Sequence, residues 1–130
     1  ENSLIYWLKI LQNDPDNKVI LTRAGDAFRV LKQYDRAEEF YLKALEVGFD
    51  YYAILGLAMI HKEHGEYSQA LDKIENLIRK DQRNHRLYIE AANCYLEQGY
   101  KAKALQILNR YQELGLHNMY VTSLIEKISS

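Results

Sequence analysis

The stretch YDRAEEFYLKAL, residues 34–45, begins at a turn and continues with apolar residues at helical spacing. The same shape returns in EYSQALDKIENLI at residues 66–78 and in KAKALQILNRY at residues 101–111. Each stretch has an alanine at an equivalent place: Ala37, Ala70 and Ala104 are 33 and 34 residues apart. Self-similarity at a fixed period of this length is the sequence signature of a repeat architecture.

A second helical stretch precedes each of these and contains a small residue. The small residues are Gly25, Ala58 and Ala92, with bulky residues four positions before them (Leu21, Ile54, Tyr88) and three positions after (Phe28, His61, Tyr95). One helical hairpin cannot bury both of its faces, so neighbouring pairs must stack, and small residues let their helices approach closely. We expect these three small residues to lie at such contacts within a hairpin, with Ala37, Ala70 and Ala104 opposite them. We expect Gly65 and Gly99 to end helices in the left-handed conformation.

The composition narrows the class of protein. Hydrophobic residues make up 48% of the 130 residues and charged residues 27%, which is typical of a globular chain. A net charge of −1 gives no sign of the positive patch that nucleic acids or anionic membranes require. No apolar run approaches the roughly 20 residues that span a bilayer. We therefore expect no nucleic-acid partner and no direct membrane contact from this segment.

The compartment is left open by the sequence. The single cysteine, Cys94, cannot form an internal disulfide, which slightly favours a reducing, cytoplasmic location. The chain starts at Glu1 without a methionine, so we expect a fragment, and an upstream targeting segment would not be visible.

The pattern resembles the tetratricopeptide repeat (TPR), a helix–turn–helix unit of about 34 residues. The first unit has Leu21, Gly25, Phe28, Tyr34, Ala37, Tyr41 and Ala44 in the family's positions; the second has Ile54, Leu57, Ala58, Gly65, Tyr67 and Ala70; the third has Tyr88, Ala92, Tyr95, Gly99 and Ala104. The first unit departs from the family at Lys32, where glycine is usual. The resemblance implies an all-α fold, a right-handed superhelical α-solenoid of antiparallel helix pairs.

The resemblance also implies a single domain over residues 1–130. Repeat one covers residues 18–50, repeat two residues 51–84 and repeat three residues 85–117. Residues 2–12 resemble the second helix of a truncated repeat, and residues 118–128 are expected to form a capping helix.

The stretch HKEHGEY, residues 61–67, has the residue types of a metal site. Its histidines, His61 and His64, are only three residues apart and the helix is expected to end there. A zinc-binding H-E-x-x-H motif instead needs them one turn apart on a continuing helix. We interpret His61 as a core residue and Cys94 as a buried, inert thiol. We expect no metal, no cofactor and no enzymatic activity; a metal-dependent enzyme is the remote alternative.

The resemblance implies that the first helix of each repeat lines a concave groove, and helical phase selects the side chains that face it. The predicted partner-binding residues are Val19, Thr22, Asp26, Tyr52, Leu55, Met59, Lys62, Arg86, Ile89, Asn93 and Leu96. The middle of this set is apolar, and a contiguous apolar patch often marks a binding site. We therefore expect an apolar or amphipathic peptide segment of a protein partner.

A different partner class is disfavoured by charge. TPR co-chaperones that grip the acidic tail of heat-shock chaperones use a clamp of basic and amide side chains. The matching positions here are Thr22, Asp26, Gly56, Arg86 and Glu90, of which only Arg86 has a suitable charge. The carboxylates would repel an acidic tail, so we predict no clamp of this kind.

The N-terminal helix is a second candidate surface, because its apolar residues cover nearly every side. We predict a self-association or docking interface at Leu4, Tyr6, Trp7, Leu8 and Leu11. The predicted function is a non-enzymatic protein-interaction scaffold. The alternative is a dedicated chaperone for a secreted or assembled partner, resembling the TPR chaperones of type III secretion.

Overall fold

The computed structural model describes residues 2–130, except for the side chain of Asn2. Within that range the chain forms eight α-helices and no β-strand. They are α1 (Asn2–Asn13), α2 (Lys18–Val30), α3 (Tyr34–Val47), α4 (Tyr51–Glu63), α5 (Tyr67–Lys80), α6 (His85–Glu97), α7 (Lys101–Glu113) and α8 (Met119–Ser129). The predicted all-α fold is confirmed, and α2, α4 and α6 start 33 and 34 residues apart.

Side-chain caps begin four of these helices. The side-chain oxygens of Asn17, Asp50, Asn84 and Asn118 accept hydrogen bonds from backbone N–H groups in the first turns of α2, α4, α6 and α8. Such a cap contributes about 1 kcal/mol of stability. By contrast, α3, α5 and α7 follow short turns and have no side-chain cap. Position in the repeat thus determines how a helix begins.

The turns after α2, α4 and α6 share a left-handed residue. Gly65 and Gly99 have φ angles of +74° and +83°, as predicted, and Lys32 adopts the same conformation with φ of +62°. Around Lys32, its N–H donates to the Arg29 carbonyl and the Gln33 N–H donates to the Phe28 carbonyl. Gly99 and Tyr100 make the same pair of bonds to Leu96 and Tyr95. Lysine therefore occupies a helix-ending motif that is usually built on glycine.

The chain divides into two compact units, and the boundary falls between His64 and Gly65. In unit 1, helices α1 to α4 pack around a core that includes the buried ring of Tyr41. A β-carbon added at Gly25 would lie 2.7 Å from Tyr41 Cε1, and one added at Gly56 would lie 2.3 Å from Tyr41 Cζ. The predicted close contact at Gly25 is confirmed. The contact at Gly56, on the other first helix of the unit, was not predicted.

Unit 2 contains α5 to α8 and has its own core. Its fully buried side chains include Ile74, Leu77, Leu87, Leu108 and Val121. The rings of Tyr88 and Tyr111 meet edge to face, with centroids 5.3 Å apart. Cys94 is buried in this unit, as predicted. The division of the chain into the repeats given above stays a prediction.

Candidate protein-binding surface

The predicted groove residues of unit 1 differ in exposure. Val19 and Tyr52 are 54% and 60% exposed, and Asp26, Met59 and Lys62 are half-buried. Thr22 and Leu55, only 5% and 3% exposed, do not lie on an accessible surface. Helical phase placed them on the correct helices but did not show how deeply they are packed.

Thr22 has a structural partner that explains its burial. Its Oγ1 donates a hydrogen bond to Asp50 Oδ2 at 3.0 Å, while Asp50 Oδ1 accepts from the N–H groups of Tyr52 and Ala53. Thr22 therefore joins the start of α2 to the capped start of α4. Its contact with a partner stays a prediction, which its low exposure does not favour.

Asp26 belongs to a polar network on the surface of α2. The Tyr41 hydroxyl donates to Asp26 Oδ1 at 2.5 Å, and Arg29 Nε donates to the Tyr41 hydroxyl at 3.0 Å. Arg29 also pairs with Asp26, with 3.6 Å between the guanidinium nitrogen and the carboxylate oxygen. The Asp26 carboxylate is therefore already engaged within the protein.

The same network shifts two pKa values. Burial raises the pKa of Tyr41 far above its ordinary value, and its hydrogen bond to Asp26 adds to this. Burial alone would lower the pKa of Arg29, but its interactions with Tyr41 and Asp26 outweigh that effect and raise it. Tyr41 thus stays a neutral hydrogen-bond donor and Arg29 stays a cation.

Six accessible side chains on α2 and α4 form what we call the α2–α4 surface: Val19, Asp26, Val30, Tyr52, Met59 and Lys62. Val19 and Tyr52 lie in the first turns of their helices. Val30 and Met59 line a cleft of about 230 Å³ at the other end, together with Arg29, Lys32, Tyr34, Lys62 and Glu63. Lys32 and Tyr34 were not predicted as surface residues of this site. The sequence did contain a signal for Lys32, because lysine stands at a position where the family usually has glycine.

The predicted residues of unit 2 all lie on α6. Arg86 is exposed and pairs with Glu90, with 3.7 Å between guanidinium nitrogen and carboxylate oxygen. Ile89, Asn93 and Leu96 are half-buried. The one basic side chain at a clamp position is therefore close to a carboxylate of its own helix.

The predicted N-terminal interface is divided between two faces of α1. Leu4, Trp7, Leu8 and Leu11 are partly buried and pack against the core of unit 1, and their part in an interface stays a prediction. Tyr6 remains 58% exposed, with Ile5 beside it at 56%. The inward face borders a cleft of about 770 Å³ that Phe40 and Val47 of unit 1 also line.

The two histidines lie at the end of α4 without metal-site geometry. His61 is half-buried, and His64 is the exposed residue that ends the helix, its ring edge-on to Tyr34 at a centroid distance of 5.2 Å. Across the described residues, no three histidine, cysteine or acidic side chains come together as a metal site would require. No helix in residues 2–130 has both the length and the hydropathy to cross a bilayer.

A family model described as tetratricopeptide repeat matches residues 61–128, more than half of the chain. The chain belongs to the tetratricopeptide repeat family. No curated protein sequence matches it.

Solved structures show the same TPR fold. MamA is 19% identical with a TM-score of 0.69; the match covers 83% of this chain but only 64% of the MamA chain. The first TPR of Spaghetti (RPAP3), bound to an HSP90 peptide, is 17% identical with a TM-score of 0.69, covering 86% and 90% of the two chains. The Yersinia enterocolitica type III secretion chaperone SycD, in complex with a peptide of the translocator YopD, is 23% identical with a TM-score of 0.69, covering 84% and 89%. At these identities the likeness establishes the fold and leaves the partner of this TPR protein open.

Proposed function

We propose that this chain is a non-enzymatic protein-interaction module whose α2–α4 surface binds an apolar or amphipathic peptide segment. The observation that carries the proposal is the exposure of Val19, Val30 and Tyr52, at 54%, 74% and 60%, on two neighbouring helices. Half-buried Met59 adds an adaptable apolar side chain. Exposed apolar side chains gathered on one pair of helices favour a binding surface.

The polar side chains of the α2–α4 surface favour a partner whose anchoring residue is uncharged. Asp26 Oδ1 already accepts a hydrogen bond from Tyr41 and pairs with Arg29, so the charge of this carboxylate is partly balanced within the protein. At the start of the surface, Val19 and Tyr52 offer apolar contact area. The binding free energy therefore comes mainly from apolar burial. Ile89, Asn93 and Leu96 on α6 stay predicted contact residues, as a separate candidate surface of unit 2.

Selection from a phage-displayed library of random linear peptides tests the proposal. Peptides enriched on the wild-type protein are measured by isothermal titration calorimetry on Val19→Glu and Tyr52→Glu. Both changes place a carboxylate in the first turn of a helix, where the helix dipole tolerates it, so the fold is kept. Loss of an apolar anchor should weaken binding by about tenfold or more.

Leu42→Glu is the matched control, because Leu42 is an exposed leucine on α3, outside the α2–α4 surface. It should leave the affinity unchanged. Equal weakening by all three variants, or by none, would contradict binding at this surface.

A dedicated chaperone is the second candidate function. The similarity to SycD, whose structure contains a translocator peptide, supports it at the level of fold. A chaperone would keep a small exported client soluble on co-expression, and Tyr52→Glu would return the client to the insoluble fraction. A general interaction module would not change client solubility.

Self-association through α1 is a further proposal, carried by the exposed Ile5 and Tyr6. Sedimentation velocity of Tyr6→Glu against wild type tests it. A wild-type dimer that becomes monomeric would support it, and identical monomers would remove it. Trp7→Glu is unsuitable, because Trp7 packs against the core.

A further inference from the structure

A groove between α1 and α3 of unit 1 shares no lining residue with the α2–α4 surface. We call it the α1–α3 groove; Leu8 and Leu11 line it from α1, and Phe40 and Val47 line it from α3. Its volume of about 770 Å³ lies within the range of about 300–1,000 Å³ that is usual for clefts that hold a ligand. The groove is therefore large enough to take several side chains of a partner.

The apolar walls of the α1–α3 groove are open to contact. Val47 is 46% exposed, and Leu8 and Leu11 are half-buried, whereas Phe40 is buried. Pro15, in the turn after α1, adds a further exposed apolar residue to the lining. Apolar side chains of a bound segment would thus cover area that is now in contact with water.

The charged side chains of the groove leave it with a net negative charge. Its lining includes two carboxylates, Asp16 and Glu46, and one ammonium group, that of Lys43. Lys43 pairs with Glu39, with 3.6 Å between Nζ and Oε2, and Nζ also lies 5.2 Å from the centroid of the Phe40 ring. Among the described residues, the side chains of Asp16 and Glu46 have no ion pair. Two exposed carboxylates therefore remain unbalanced.

Both carboxylates lie where α1 and α3 end. Asp16 is in the turn after α1, and Glu46 is in the last turn of α3. Neither helix has a basic residue in its last turn, so no side chain there offsets the partial negative charge of the helix C-terminus. Lys18, at the start of α2, does not line the groove, and its ammonium donates to the Phe49 carbonyl at 2.7 Å. This end of the groove therefore favours a cation.

We propose that the α1–α3 groove binds a partner segment in which a basic side chain lies next to apolar ones. The apolar side chains pack on Leu8, Leu11 and Val47, and the lysine or arginine reaches Asp16 and Glu46. Each partly exposed charge pair contributes about a two- to fivefold change in affinity. The site goes beyond the function proposed for the α2–α4 surface, and either proposal stands without the other.

Selection from a phage-displayed library of random linear peptides tests the inference, with Tyr52→Glu as the bait so that the α2–α4 surface is blocked. Peptides that also bind the double variant Tyr52→Glu, Val47→Lys are removed. The lysine lies in the last turn of α3, where the helix dipole favours a cation, so the fold is kept. The apolar wall is lost and basic peptides are repelled. The peptides that remain should combine apolar and basic residues.

A double-mutant cycle then isolates the charge. Asp16→Asn and Glu46→Gln should each weaken a selected peptide by about two- to fivefold in isothermal titration calorimetry. Neither change should weaken the same peptide once its basic residue is replaced by glutamine. Glu38→Gln is the matched control, because Glu38 is an exposed carboxylate of α3 that does not line the groove. It should keep the wild-type affinity.

Three results would overturn the inference: selected peptides without basic residues, no enrichment over the Val47→Lys variant, or equal weakening by Glu38→Gln. A wild-type dimer in sedimentation velocity that Val47→Lys makes monomeric would also overturn it, because a second copy of the chain would then fill the groove. All of these results leave the α2–α4 surface untouched, since that surface is tested separately with Val19→Glu and Tyr52→Glu.

Discussion

Replacing Gly56 by alanine tests the packing of unit 1 directly. The new β-carbon would lie 2.3 Å from Tyr41 Cζ and 2.6 Å from the Tyr41 hydroxyl oxygen, well inside van der Waals contact. The ring cannot easily retreat, because Gly25 closes its other side and Asp26 and Arg29 hold the hydroxyl. Overpacking of a rigid core site costs about 3 kcal/mol at the upper end of its usual range.

Alanine also improves helix propensity by about 1 kcal/mol over glycine. Combining the two effects, we expect Gly56→Ala to lower the free energy of unfolding of unit 1 by about 2 kcal/mol. Urea unfolding followed by tryptophan fluorescence measures it, because Trp7 is the only tryptophan and packs against the core of this unit.

Gly48→Ala is the control for the glycine substitution itself. Its added β-carbon would have no neighbour within 4 Å, and Gly48 has an extended backbone, so a change within about 0.5 kcal/mol is expected. The same Gly56→Ala change in a Tyr41→Leu background should cost less than in the wild type. A Gly56→Ala protein as stable as wild type would refute the argument that the ring is held in place.

Four further predictions concern stability and specificity. Lys32→Gly should raise the unfolding free energy by about 0.5 kcal/mol, since the relieved strain exceeds the added entropy of the unfolded chain; Lys32→Ala should not. Asp50→Ala should cost about 1–2 kcal/mol in urea unfolding, because α4 loses its cap and Thr22 its acceptor. The pKa of Tyr41 is raised in the folded state, so the stability that its neutral hydroxyl contributes is fully present below about pH 10 and is lost as the pH rises above that value. Tyr41→Phe should therefore reduce the fall in unfolding free energy at alkaline pH, measured by urea unfolding. A peptide with an acidic C-terminal tail should show no micromolar binding in calorimetry; binding that Arg86→Ala abolishes would contradict this.

The sequence predicted the helices well because its signals are local and repeated. Gly65 and Gly99 mark turns that need a positive φ, and alanine and glycine at fixed spacing mark close contacts. The surface was predicted less well. Helical phase gives the direction of Leu55 but not the depth at which it is packed.

Contacts between residues that are far apart in the sequence were also not predicted. Thr22 is buried because Asp50, 28 residues later, accepts its hydrogen bond. Tyr41 reaches two glycines on different helices, of which only Gly25 has a recognisable position in the repeat. Such pairings depend on the tertiary arrangement, which no single helix encodes.

The placement of the Tyr41 ring bears on how a partner would be recognised. The ring lies between Gly25 of α2 and Gly56 of α4, and its hydroxyl both accepts from Arg29 and donates to Asp26. The ring therefore sets the separation of these two helices. A bound segment would thus meet a preorganised template. The peptide would then lose most of the conformational entropy on association. Stiffening the peptide should therefore improve affinity more than stiffening the protein.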